Sequence, residues 1–342
     1  MPEPAFTVVD LGGTTLRTAR YNVRTGTLGN IRRTATDGMA RHPGLSEAKL
    51  QGRVAGQLAE LTAEAVARHR STAVAVAFAG PVTADGRVVT APTVWGKRGE
   101  PLPLRLLLED RLGIPVVVVN DLTAAVWRYV GSADDPPFCL ITVSSGIGSK
   151  VYRAGEVLLD PQGHGGELGH WTCDPSPQAP LCDCGGRGHL GGIASGRGVL
   201  AAARRAAVAD PGGYARSRLA AAAPDPEQLD NRMLADAVRA GDAFSTTVLR
   251  GGLAHLAAAI TSVFTSIGVR RYVLMGGFAL AIGPRYAQLL TAELERAGCF
   301  GLAAEEIREM VVLGEPDDDH GLIGAGRLLA ARSAARQAVT VA

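Results

Sequence analysis

Residues 6–21 read FTVVDLGGTTLRTARY: an apolar run, a Gly-rich turn, then a second alternating run. This pattern predicts a β-hairpin, not a strand feeding a helix. Residues 138–153, FCLITVSSGIGSKVYR, repeat the arrangement in the middle of the chain. Two strand–turn–strand units, each followed by helices and further strands, predict an α/β protein of two domains.

Working outward, apolar positions recur at helical spacing over 45–69, and a short strand at 73–78 ends at Gly80-Pro81. Residues 116–119 read as a buried strand and 121–129 as a helix. Residues 161–198 are rich in Gly, Pro, Cys and His and predict loop with little regular structure. Ala-rich helices follow, broken at 210–213 and near Pro224. Residues 252–267 are apolar nearly all round, which predicts a buried central helix. A strand at 272–275 ends in Gly276-Gly277, residues 311–313 form another apolar segment, and a helix is expected from about 320 to 335. No low-complexity linker and no charge run is read along the way.

The chain has 342 residues, 46% hydrophobic and 20% charged, enough apolar material for two cores and too little charge for a disordered chain. Its net charge of +2 makes no electrostatic case for a nucleic-acid or membrane partner. Only three of the 35 basic residues are lysines (Lys49, Lys97 and Lys150), a bias given no mechanistic weight. No uninterrupted apolar stretch reaches the roughly 20 residues of a spanning helix, and the start lacks a basic segment followed by an apolar one. A cytoplasmic protein is therefore expected. Five cysteines argue against a pure disulfide framework. Cys139 and Cys299 read as buried thiols, whereas Cys173, Cys182 and Cys184 cluster.

Asp10, Gly12, Gly13, Thr14 and Thr15 form the first candidate site. Adjacent glycines let the backbone approach a phosphate, amides and Thr hydroxyls can donate to its oxygens, and Asp10 can hold a hydrated Mg²⁺. An ordinary hairpin turn would look the same. The second turn, Ser144, Ser145, Gly146 and Gly148, adds weight, because two such hairpins could clamp a phosphate chain. Asn120-Asp121 stands where a strand ends and a helix begins. Asp121 either caps that helix or accepts a proton from an attacking hydroxyl. His170, Cys182, Cys184 and His189 supply the four ligands of a closed tetrahedral zinc site, which predicts a structural ion. Cys173 is a rival fourth ligand. Glu167 is either a surface acid or an acceptor for polyol hydroxyls, oriented by the zinc loop.

Together these residues resemble the ROK family of sugar kinases and repressors, over essentially the whole chain. Asp10 to Thr14 resembles the first phosphate motif, Ser144 to Gly148 the second, and Gly276-Gly277 the adenosine motif. Asn120-Asp121 resembles the catalytic pair and Glu167 to His170 the Glu-x-Gly-His motif. The resemblance implies an actin-like ATPase (ribonuclease H-like) fold of two α/β domains with an interdomain cleft. The small domain would span 1–124 plus 318–342, and the large one 125–317 with a zinc loop at 164–190. It also implies ATP with Mg²⁺, Asp121 as general base, and a homodimer. Asn120, Glu167 and His170 would contact substrate hydroxyls, with Gly80 and Thr93 in the substrate shell, and His170 would also bind zinc. The family's repressors carry a helix-turn-helix ahead of the first phosphate motif. Asp10 leaves no room for one, so a kinase is expected.

Departures from the family pattern bear on the substrate. The knuckle ends in His189 where the family has Cys, a change compatible with zinc. Gly191 stands where the family carries a Glu on sugar hydroxyls, and Thr93 where it carries an Asn. Ser144 and Ser145 replace Gly-Thr. Losing a buried acceptor opposite a hydroxyl costs ~1–3 kcal/mol, enough to move specificity away from glucose. The favoured acceptor is a sugar-like C7 cyclitol of valiolone type, phosphorylated at its primary hydroxyl. Hexoses and amino sugars are the alternatives.

Overall fold

A computed structural model describes residues 5–341. The chain begins with β1 (Ala5–Leu11), β2 (Thr15–Asn22), β3 (Leu28–Ala35) and α1 (Glu47–His69). It continues with β4 (Val74–Phe78), α2 (Leu104–Leu112), β5 (Val116–Asn120) and α3 (Asp121–Trp127). Next come β6 (Phe138–Val143), β7 (Ile147–Arg153), β8 (Glu156–Val157), α4 (Leu190–Ala194) and α5 (Gly196–Ala209). Then α6 (Pro211–Ala215), α7 (Arg218–Ala222), α8 (Asn231–Arg239) and α9 (Ala243–Ile267) lead to β9 (Arg271–Met275). The last elements are α10 (Gly277–Ile282), α11 (Pro284–Ala297), α12 (Ala304–Glu309), β10 (Val311–Leu313) and α13 (His320–Val341).

The strands form two five-stranded mixed sheets, ordered β3-β2-β1-β4-β5 and β10-β9-β6-β7-β8. In each, an antiparallel hairpin (β1–β2, β6–β7) adjoins parallel strands. The repeat read from the two Gly-rich turns is thus a repeat of sheet topology. Contacts cluster into two compact units: one runs through Ala133 and takes in Val157–Gly165 and the chain from Asp317, the other holds Asp134–Glu156 and Gly166–Pro316. Relative to the expected division at 124, the first unit gains residues 125–133 and 157–165. The second segment belongs there because Ala84 N donates to Pro161 O at 2.9 Å and Gly163 lies flat on Val82.

In the first unit, strand alternation splits the sheet into two cores. Val9, Val74 and Val76 pack against Leu50, Val54 and Leu58 of α1 and Leu104 and Leu108 of α2. Val8, Ala75 and Ala77 pack against Leu322, Ala325, Leu328 and Leu329 of α13. The terminal helix lies close because glycines face its neighbours: a Cβ on Gly324 would stand 1.8 Å from Ala124 O. In the second unit one core joins Ile141 and Leu274 to Leu253, Leu256 and Ile260 of α9 and Leu290 of α11.

Four local expectations are corrected. Residues 161–198 are not all loop, since α4 and the start of α5 lie within them. The break at 210–213 reduces to Asp210, which accepts from Gly213 N and so caps α6. Gly148 belongs to β7, paired with Thr142, so the second turn spans only Ser144 to Gly146. Finally, α9 is buried only as far as Ile260; Thr265 to Ile267 are exposed. By length and composition α9 could cross a membrane, the one such helix among the described residues, but its Leu249, Leu253, Leu256 and Ile260 fill the core.

Candidate active site and metal centre

In the first unit, Gly12 N donates to Thr15 O at 2.9 Å and closes the β1–β2 turn. Thr36, just past β3, braces it: its hydroxyl donates to Gly12 O at 2.8 Å and its amide to Thr14 O at 3.0 Å. A Cβ on Gly13 would lie 2.4 Å from Thr93 O, so the turn rests directly on the Thr93 backbone while the Thr93 side chain is exposed. Gly80 lies equally close to Thr90 O. Gly80, Thr93 and the first Gly-rich turn are therefore neighbours.

Asn120 ends β5 and caps α3. Its Oδ1 accepts from Leu122 N at 3.0 Å and Thr123 N at 3.2 Å. Its Nδ2 donates to Gly80 O at 3.0 Å and to Asp121 Oδ1 at 2.8 Å. Two donors and two acceptor positions are all an Asn amide offers, so the expected contact of Asn120 with substrate gives way to a positioning geometry. Asn120 is the N-cap, and Asp121 shares its first amide, since Asp121 Oδ1 also accepts from Leu122 N at 2.9 Å.

Asp10 has a partner the sequence reading did not assign. The hairpin register sets Arg17 directly across from Asp10, and the two form an ion pair. Arg17 also reaches Asp318 at 2.9 Å and Asp319 at 3.4 Å. These belong to an acidic run, Asp317 to Asp319, which corrects the expectation of a chain without charge runs. Burial pushes the Asp10 carboxyl above the usual carboxylate range, Arg17 pulls it back, and Asp318 and Asp319 add to the rise. Direct coordination of Mg²⁺ by Asp10 would compete with Arg17. Asp10 is therefore the carboxylate that would hold Mg²⁺ only in competition with Arg17.

In the second unit, Ser144 N donates to Gly146 O at 2.9 Å and closes the second turn. Gly276, at φ +97°, packs against the end of β6, where a Cβ would lie 2.7 Å from Val143 N. Gly277 follows beside Ser144, so the Gly276-Gly277 pair and the second turn form one surface. The N-terminus of α5 docks there too: Gly196 N donates to Ser144 O at 2.8 Å and Arg197 Nε to Ser145 O at 2.7 Å. A helix N-terminus and a guanidinium beside a Gly turn favour an anion. Arg197 also pairs with Asp183 in the Cys-rich knuckle.

The Glu167 to His170 segment lies along β7. Gly166, at φ +69°, and Gly169 permit this approach, since Cβ atoms there would stand 2.4 Å from Ser149 O and 2.0 Å from Ile147 O. Lys150 Nζ meets Glu167 Oε1 at 3.0 Å. Gly191 adjoins the same segment, its missing Cβ 3.1 Å from Gly169 O.

His170, Cys182, Cys184 and His189 converge, their ligand atoms all within 4.8 Å of one another. A tetrahedral zinc with bonds of about 2.0–2.3 Å needs ligand atoms about 3.3–3.8 Å apart, so the cluster fits the ion with small adjustment. Cys184 Sγ lies 3.2 Å from His189 Nδ1 and Cys182 Sγ 3.9 Å from His170 Nδ1. Gly186 allows the knuckle to close, because any Cβ there would strike the His189 ring. Cys173 stands outside the group: its thiol donates to Gly188 O, and burial pushes its pKa up to about 11.

Three residues escaped sequence reasoning. Arg17 could have been found from the hairpin register. Arg197 and Lys150 had no local signal, because their partners come from distant loops.

The ROK family description matches residues 8–332. The chain is 52% identical to a C(7)-cyclitol 7-kinase from Streptomyces hygroscopicus subsp. jinggangensis, covering 98% of this chain and 96% of the relative. It is 30% identical to a 2-epi-5-epi-valiolone 7-kinase from Actinoplanes sp., covering 95% and 92%. The crystal structure of a ROK hexokinase from Thermus thermophilus superposes with a TM-score of 0.72 at 27% identity, covering 96% of this chain and 99% of the other. With two α/β sheets of repeated topology and a match along nearly its whole length, the chain belongs to the ROK family.

Proposed function

We propose that this protein transfers the γ-phosphoryl group of ATP to the primary hydroxyl of a C7 cyclitol. The observation that carries the reading is the 52% identity, over nearly the full length of both chains, to a C(7)-cyclitol 7-kinase. The retained Asn120, Asp121, Glu167 and His170 support it, as do the changes at Thr93 and Gly191.

Asp121 accepts the proton of the acceptor hydroxyl as its oxygen attacks the γ-phosphorus, and the bond to the β–γ bridging oxygen breaks. Asn120 keeps Asp121 in a fixed rotamer. Each Gly turn offers backbone donors to a nucleotide phosphate, and Arg197 and the α5 N-terminus, beside the second turn and Gly276-Gly277, favour phosphate charge. Mg²⁺, when bound with ATP, would supply charge neutralisation on the phosphate oxygens, with Asp10 as the residue that would hold it. Glu167 accepts from ring hydroxyls, and His170, with one ring nitrogen on zinc, would donate to them from the other. Zinc, when bound by His170, Cys182, Cys184 and His189, supplies a rigid knuckle. Gly191, packed against Gly169 O, presents no carboxylate to demand a sugar hydroxyl. The reading includes a homodimer in the cytoplasm, and the net charge of +2 supports a small-molecule partner rather than a polyanion.

The test is identification of the product. Incubation with ATP and a valiolone-type cyclitol should give a phosphate ester at the primary carbon, seen by phosphorus NMR coupling, and Asp121→Asn should slow its formation at least about 100-fold. A phosphate on a ring hydroxyl, or full activity in D121N, contradicts the reading.

A further inference from the structure

We propose that Lys150 is a positioning residue for acceptor recognition, acting through Glu167. The inference rests on the functional reading above and adds to it a residue with no role so far.

Lys150 lies in β7 across from Leu140, and its side chain is only 3% exposed, whereas that of Glu167 is 59% exposed. A lysine is almost never this buried without an ionic partner. The pair is therefore lopsided. The ammonium is enclosed by the protein, and the carboxylate stands at the surface with one oxygen held from below at 3.0 Å.

The backbone is shaped for this contact. Gly166 lies over the lysine stem, where a Cβ would come within 3.1 Å of both Lys150 Cα and Cδ. Ser149, the neighbour of Lys150, pins the same segment twice: its amide donates to Gly166 O at 3.2 Å and its hydroxyl to the same oxygen at 2.6 Å. The carboxylate is thus fixed at both ends, by the main chain at Gly166 and by the ammonium at Oε1. An exposed glutamate would otherwise sample several rotamers and lose that freedom on binding. Held by Lys150, it meets the acceptor already oriented.

A four-variant cycle tests this: Lys150→Met, Lys150→Arg, Glu167→Gln and the double variant K150M/E167Q, each with KM and kcat for cyclitol and ATP. K150M should raise the acceptor KM about 10-fold or more, the size expected for a charge-assisted contact. The ATP KM should stay within about twofold, because a general structural fault would move both. K150R, which keeps the charge, should recover much of the loss. In the E167Q background K150M should add almost nothing, since its effect passes through Glu167. Independent, multiplying effects of the two substitutions, or an unchanged acceptor KM in K150M, overturn the proposal. If K150M does not fold, K150R decides: an acceptor KM as poor as that of E167Q overturns it, and one near wild type supports it. A wild-type enzyme inactive on every ring contradicts the functional reading instead. The same cycle read by thermal unfolding then still decides whether 150 and 167 are coupled.

Discussion

Asn120 donates its side-chain amide to Asp121 Oδ1 at 2.8 Å while its carbonyl caps α3 through Leu122 N and Thr123 N. One residue thereby starts the helix and orients the carboxylate that follows it. The two substitutions should separate these duties. Asp121→Asn should lower kcat by about 10²–10⁴, the range for loss of a general base, with little change in ATP KM or Tm. Asn120→Ala should lower kcat less and also cost about 1 kcal/mol of stability through the lost cap. Steady-state kinetics with thermal unfolding checks both.

Zinc should be present at one ion per chain and should matter for stability. Elemental analysis of the purified protein measures it, and Cys182→Ser or Cys184→Ser should release it and lower Tm. Cys173→Ser should retain the metal, because its thiol lies outside the cluster and faces Gly188 O. A metal-free protein with wild-type Tm contradicts this assignment.

Arg197 links Ser145 O of the second Gly turn to Asp183 of the knuckle. Arg197→Ala should raise the ATP KM by about tenfold, as loss of one charge-assisted phosphate contact would. The acceptor KM should change much less. Equal effects on both substrates would argue for a general disturbance of the knuckle.

The fold was largely legible because its two halves announce themselves through Asp10 to Thr15 and Ser144 to Gly148, where only glycine-rich hairpins satisfy the pattern. The metal cluster was legible because its four ligands lie within 20 residues of one another in the chain. Other elements lacked a period to read. Leu106 and Leu107 in α2 are largely exposed, so its apolar residues do not mark one face, and β3 is a mostly exposed edge strand with polar residues. Tertiary pairing was the least visible link. Nothing near Lys150 or Arg197 in sequence points to Glu167 or Ser145, and nothing near Asn120 shows that Gly80 O would take its last donor.

Acid should weaken the fold through two buried histidines. Burial lowers the pKa of His320 and of His69 below the ordinary value of 6.5. The unfolded chain therefore binds protons at a higher pH than the folded one. The stability these groups contribute is complete above about pH 6.5 and is lost as pH falls through and below it. Tm measured from about pH 7.5 down to about 5.5 should fall, and the His69→Gln/His320→Asn variant should show a shallower fall. An equal slope in the variant contradicts the assignment.

The central claim is the acceptor, and the ratio of kcat/KM for a valiolone-type cyclitol to that for glucose, with ATP saturating, tests it most directly. On the proposed reading, Gly191 and Thr93 would withdraw two glucose contacts, each worth about 1–3 kcal/mol or about 5- to 150-fold. A ratio of at least about tenfold in favour of the cyclitol is expected. Glucose equal to or better than the cyclitol would contradict it.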